Sequence, residues 1–192
     1  MASPRAILVG VGTLALAGGT AFGIAGVSSP AAKPAHQNVQ LQSADRTAAA
    51  AAITKVTRAQ VIARAKTWHP HTSQRVPYSQ NKTHGGYRTD CSGYASMALA
   101  LPKPGPNTVG LATSKYTKKI SFSALKQGDL IIDAIGSNTT RHVVIFEKWA
   151  NAKHTRYWAY EQRGHYGTDH RTLTYGLAKG SQYKAYHPKN IK

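Results

Sequence analysis

The sequence predicts an α+β fold with N-terminal helices packed on an antiparallel β-sheet. Helical periodicity with recognisable caps occurs only before Pro102, whereas β-branched and aromatic runs between Gly, Asn or Lys turns occur only after Phe122. Helices first and strands second argue for segregated layers, and residues 53–192 are enough chain for one core.

Each element has its own signal. Thr57 and Gln60 fit a capping box, with Val56 and Val61 placed for a hydrophobic staple. Val61, Ala65 and Trp68 then recur on one helical face, and His69-Pro70 ends the run. The stretch from His69 to Thr89 is turn-rich and contains Gly85-Gly86. A second helix is predicted from Cys91, capped by Thr89 or Asp90, with Tyr94, Met97, Ala98 and Leu101 on one face. Pro102, Pro104 and Pro106 stop it, and a loop is expected through about Phe122. Five segments then read as a meander of strands: GDLIIDAI, RHVVIFEKWA, TRYWAYEQ, HRTLTY and QYKAY.

The N-terminus bears on the compartment. Arg5 precedes an uncharged run, Ala6 to Val27, and small residues follow from Ser28 to Ala35. This pattern predicts a signal peptide over 1–35 with cleavage between 27 and 35, a flexible linker over 36–52, and a domain over 53–192. A retained anchor is the competing reading, because the run has about the ~20 residues a bilayer requires. Its Gly and Ala content makes it weakly apolar, so export without a stable membrane span is expected. A single cysteine excludes an intramolecular disulfide.

With 25 Lys and Arg against 7 Asp and Glu, the formal net charge is +18. Basic residues are spread along the domain, and no nucleic-acid motif accompanies them. For an exported chain the matching partners are anionic cell-wall polymers reached through a basic surface. A purely solubilising role is the plain alternative. A monomer is expected.

The one thiol carries the chemical signal. Cys91 follows Asp90 and precedes Ser92-Gly93 at a predicted helix start. Helix-terminal N–H groups favour an anion by roughly 0.3–1 kcal/mol, up to ~2 when partly buried, and so favour thiolate. A buried structural cysteine is the alternative. Among nine histidines, His142 stands apart because it opens the most strand-like segment, a rigid place to hold an imidazole. The other histidines read as solvated, and neither a His-x-x-x-His pair nor a second cysteine suggests a metal or other cofactor. Acids are scarce, and Glu161, ending YWAYE, is the candidate to orient the imidazole; Gln162 is its rival, since adjacent strand residues face opposite ways.

The segments VPYSQ, TDCSGY, LKQGDLII and RHVVIFEKW, in this order between about Thr57 and Tyr175, resemble the NlpC/p-sixty cysteine peptidases of bacterial cell walls. The resemblance implies a papain-like domain, and a secreted, wall-associated hydrolase of peptidoglycan stem peptides at a γ-D-glutamyl–diamino acid bond. It implies Cys91 as nucleophile, His142 as base, and Tyr78, Asp90 and Ser92 as substrate-binding residues. Gln127 replaces a usual proline, and Glu161 stands where His, Asn or Gln is usual. A glutamate there is similar to the CHAP amidohydrolases, which makes an N-acetylmuramoyl-L-alanine amidase the nearest alternative. A catalytically silent basic wall-binding protein and a basic antimicrobial or toxin-like protein are the alternatives from other classes.

Overall fold

The computed structural model describes residues 53–192; the predicted signal peptide and linker, residues 1–52, lie outside the described residues. Helix α1 spans Arg58–Lys66 and carries the full capping box: Gln60 N–H donates to Thr57 Oγ1 (3.2 Å) and Thr57 N–H to Gln60 Oε1 (2.8 Å). Val56, Val61, Ala65 and Trp68 are buried, as their spacing required. A short ribbon, β1 (Thr83–His84) and β2 (Tyr87–Arg88), turns through Gly85 and Gly86, both at positive φ. That ribbon delivers the chain to Asp90.

Helix α2, Cys91–Ala98, is buried along its whole length. The periodicity of its large residues suggested one apolar face only. Ser92, Gly93, Ala95 and Ser96 make up the rest, and small residues let α1, β2, β5 and β6 approach from all sides. The expected loop to Phe122 is also more structured than predicted. It contains helix α3 (Thr108–Leu111), capped by Asn107, and strand β3 (Thr117–Ile120). TKKI has no apolar alternation, and its pairing with the last strand makes it a strand.

The sheet continues with β4 (Leu130–Asp133), β5 (His142–Trp149), β6 (Tyr157–Arg163), β7 (Gly167–Leu173) and β8 (Lys184–Pro188). Its order is β3-β8-β4-β5-β6-β7, antiparallel throughout. The meander expectation therefore holds for β4 to β7 and fails for β8, which inserts between β3 and β4. Both sheet faces are covered. Leu130, Ile132, Val143, Ile145 and Tyr160 pack with the helices, while Ile131, Val144, Phe146, Ala159 and Leu173 form a second cluster. At roughly 1.5–3 kcal/mol per fully buried large aliphatic or Phe side chain, these two layers anchor the central strands. The architecture is mixed helix and antiparallel sheet, as the sequence predicts. Among the described residues no helix is long and apolar enough to cross a membrane.

Candidate active site

Cys91 is the first residue of α2, and its surroundings follow from the cap. Asp90 is extended, and its Oδ1 accepts from Gly93 N–H (2.6 Å) and from the Ser92 hydroxyl (2.9 Å). Its Oδ2 accepts from Arg88 Nε (2.9 Å), so both oxygens are engaged away from the sulfur. Gly93 is required because a Cβ there would collide with the Arg88 carbonyl. The cap leaves the N–H groups of Cys91 and Ser92 at the helix start to meet a ligand. The Cys91 sulfur is 3.8 Å from Thr108 Oγ1 and sits at the floor of a cleft of about 250 Å³.

His142 opens β5 directly after a turn in which Thr140 and Arg141 N–H groups donate to the Ser137 carbonyl. Glu161 lies on β6 opposite Val144, two residues along from His142 and on the same sheet face. This diagonal brings His142 Nε2 within 2.8 Å of Glu161 Oε2. The other Glu161 oxygen accepts from Arg171 Nε (2.6 Å), and Arg171 Nη2 donates to the Tyr175 hydroxyl (3.1 Å). Glu161 is fully buried; burial alone would raise its pKa, but His142 and Arg171 outweigh that and hold it below the usual value. Burial also opposes a charged His142. Hydrogen bonding to Cys91 and Glu161, with their negative charge, overcomes it and pushes the imidazole up to about 9. With Nε2 held by Glu161, Nδ1 is the ring nitrogen left for the thiol.

Gln162 points the other way. Its Nε2 donates to the Val76 and Thr89 carbonyls (3.1 Å each), and its Oε1 accepts from Thr168 Oγ1 (2.6 Å). It braces the segment leading to Asp90 and does not touch His142. Tyr78 stands beside Cys91, its phenol pushed up chiefly by burial, with the charges of Cys91 and Asp90 adding to the rise and a hydrogen bond from Gln80 opposing it. Asp90 and Ser92 line the Cys91 cleft, although their polar atoms face each other and Arg88. All six residues singled out from the sequence thus lie around one centre.

A second cleft, about 530 Å³, opens on the His142 side and is walled by Arg171, Tyr175 and Tyr183. Sequence reasoning missed Arg171, whose role depends on the β6–β7 register, and Arg141, which adjoins both clefts. Three histidines read as solvated are also engaged: His71 with Asp169 (2.8 Å), His170 with Glu147 (3.0 Å) and His187 with Asp129 (2.9 Å). Their carboxylates are distant in sequence, so spacing gave no signal. Among the described residues no group of three or more His, Cys, Asp or Glu side chains is arranged to hold a metal ion. A scan against protein-family models matches none, and no curated protein matches the chain.

Proposed function

We propose that the protein is a secreted cysteine peptidase of NlpC/p-sixty type, with a papain-like domain that hydrolyses peptidoglycan stem peptides at a γ-D-glutamyl–diamino acid bond. The observation that carries this reading is the His142 imidazole held by a buried Glu161 (Nε2 to Oε2, 2.8 Å), with Cys91 at the start of a buried helix close enough to raise the imidazole's pKa. A histidine that stays protonated to about 9 is suited to act as general acid beside the Cys91 sulfur.

The thiolate attacks the scissile carbonyl carbon, forming a carbon–sulfur bond and an oxyanion. The oxyanion is taken up by the N–H groups at the helix start, with the Tyr78 hydroxyl beside them. His142 gives its proton to the leaving nitrogen, the C–N bond breaks, and an amine departs from the thioester. Water then attacks the thioester, His142 accepts its proton, and the carboxylic acid and the thiolate are released. Glu161 orients the ring through Nε2 and stabilises the imidazolium, and Arg171 keeps Glu161 ionised.

A carboxylate in the third position favours one second reading, the N-acetylmuramoyl-L-alanine amidase. Mass spectrometry of fragments released from purified walls separates the two: new γ-D-glutamyl carboxyl termini support the peptidase, and free muramic lactyl groups support the amidase. Iodoacetamide should stop either activity, whereas a non-catalytic wall-binding protein would tolerate it. The net charge of +18 supports capture by anionic wall polymers. Sedimentation with intact walls should therefore weaken steeply between low salt and 0.15 M, where screening acts within ~8 Å, while turnover of small soluble muropeptides changes much less.

A further inference from the structure

The two clefts divide the chemistry between them. One is lined by Cys91 and the other by His142, and they meet at Tyr78, Gln80 and Arg141. Since His142 is the proton donor to the departing nitrogen, the cleft on its side receives the amine-bearing half of the substrate. That cleft holds three arginines: Arg141, Arg163 and Arg171. Two are bound to buried carboxylates, Arg171 to Glu161 (2.6 Å) and Arg163 to Asp169 (2.7 Å). Arg141 has no carboxylate partner among the described residues, and the one acid lining the cleft, Glu161, has both oxygens engaged. On the Cys91 side, by contrast, Arg88 is matched by Asp90. Arg141 lines both clefts, so among the described residues the arginine without a carboxylate partner stands where the thiol side and the leaving-group side meet.

The backbone of Arg141 is also held in place. Its N–H donates to the Ser137 carbonyl (3.1 Å), and the same turn is pinned across the cleft by two hydrogen bonds. Gln80 Nε2 donates to the Asn138 carbonyl (2.8 Å) and Asn138 Nδ2 to Gln80 Oε1 (3.0 Å). A half-buried guanidinium on a braced turn, adjacent in sequence to the base, presents a fork that matches a carboxylate in two-point geometry.

We propose that Arg141 is a specificity-determining residue that anchors a free carboxylate on the leaving residue of the substrate. The assignment to the leaving residue rests on the peptidase reading; the anchoring of a carboxylate beside the thiol does not. Two measurements separate them. The first compares alkylation of Cys91 by iodoacetate and iodoacetamide, followed by intact mass in the wild type, Arg141→Gln and Arg141→Lys. The charged-to-neutral rate ratio should fall about tenfold in Arg141→Gln, the size expected for one charge-assisted hydrogen bond, and should recover in part in Arg141→Lys. An unchanged ratio overturns the proposal.

The second compares γ-D-glutamyl peptides whose leaving diamino acid has its α-carboxylate free or amidated. The wild type should prefer the free acid about tenfold in kcat/KM, mainly through KM, and the preference should collapse toward unity in Arg141→Gln. A preference that persists in the variant overturns the assignment. If the wild type cleaves neither peptide while the alkylation ratio still depends on Arg141, the peptidase reading falls and the carboxylate anchor stands.

Discussion

Around Asp129 an arginine and a histidine share one carboxylate, and around Glu161 the same three kinds of group, guanidinium, imidazole and carboxylate, meet again with a different outcome. In the first group, Arg58 and His187 both reach Asp129 Oδ1 (2.9 Å each), while Oδ2 accepts the Lys126 N–H. His187 uses Nδ1, and the group ties the start of α1 to β8 and to the turn before β4. In the second, Arg171 and His142 take one oxygen each of Glu161, and His142 uses Nε2. Its free nitrogen is then left for the buried Cys91 sulfur, at the junction of two adjoining clefts. A histidine–carboxylate pair is thus common structural cement in this molecule. The chemistry depends on which ring nitrogen the carboxylate holds and on what lies beyond the other.

The largest expected effect separates the two groups outright. Cys91→Ala should fold and lose wall hydrolysis completely, whereas Asp129→Asn should lower the melting temperature and leave the hydrolytic rate of the folded protein within about twofold, because only a structural charge pair, of order 1–3 kcal/mol, is altered. A Cys91→Ala variant that still releases wall fragments would show that the thiol is structural.

Next in size is Glu161→Gln. An amide keeps the ring oriented but removes the charge that supports imidazolium, so turnover should fall roughly 100-fold and the His142 titration, followed by NMR, should drop below its position near 9. Unchanged activity in this variant would reduce Glu161 to the status of Asp129.

A smaller effect concerns pH. The pKa of His142 is about 9 in the fold and 6.5 ordinarily, so folding favours its protonated form. The stability this supplies is fully present below 6.5 and is lost as pH rises through about 9. Melting temperatures should fall across that window in the wild type and fall less in His142→Gln. Parallel curves for the two proteins would refute the raised pKa.

The smallest effect on chemistry belongs to Gln162. Its three buried hydrogen bonds make Gln162→Ala destabilising by about 1–3 kcal/mol, measured by denaturant unfolding, while pre-steady-state acylation by the folded fraction stays near wild type. Alternation says that Gln162 faces away from His142, but not that the Val76 and Thr89 carbonyls wait on that side.

Much of the site was legible because its signals are local. A capping box, a helix start with Asp90 before Cys91, and a strand opening at His142 are readable within a few residues. The strand parity of Glu161 against Gln162 is equally local, and it says that only one of the two can reach His142; the β5–β6 register decides which. What stayed hidden was whatever depended on pairing between distant segments. Arg171 reaches Glu161 only through the β6–β7 register, and β3 is a strand only because β8 lies beside it.

The sequence by itself determined that helices precede the main run of strands, gave the cap of α1 and two candidates for that of α2, and singled out one thiol, one imidazole and two neighbouring candidates for the third group. Periodicity and capping act over one or two turns of chain, which is why they can be read there. Only the tertiary structure decided that β8 enters the sheet between β3 and β4, that α2 is buried on every side, and that Arg141 stands between two clefts without a carboxylate partner among the described residues. Those outcomes depend on long-range packing and on which charges happen to neutralise each other, and no local pattern of residues encodes either.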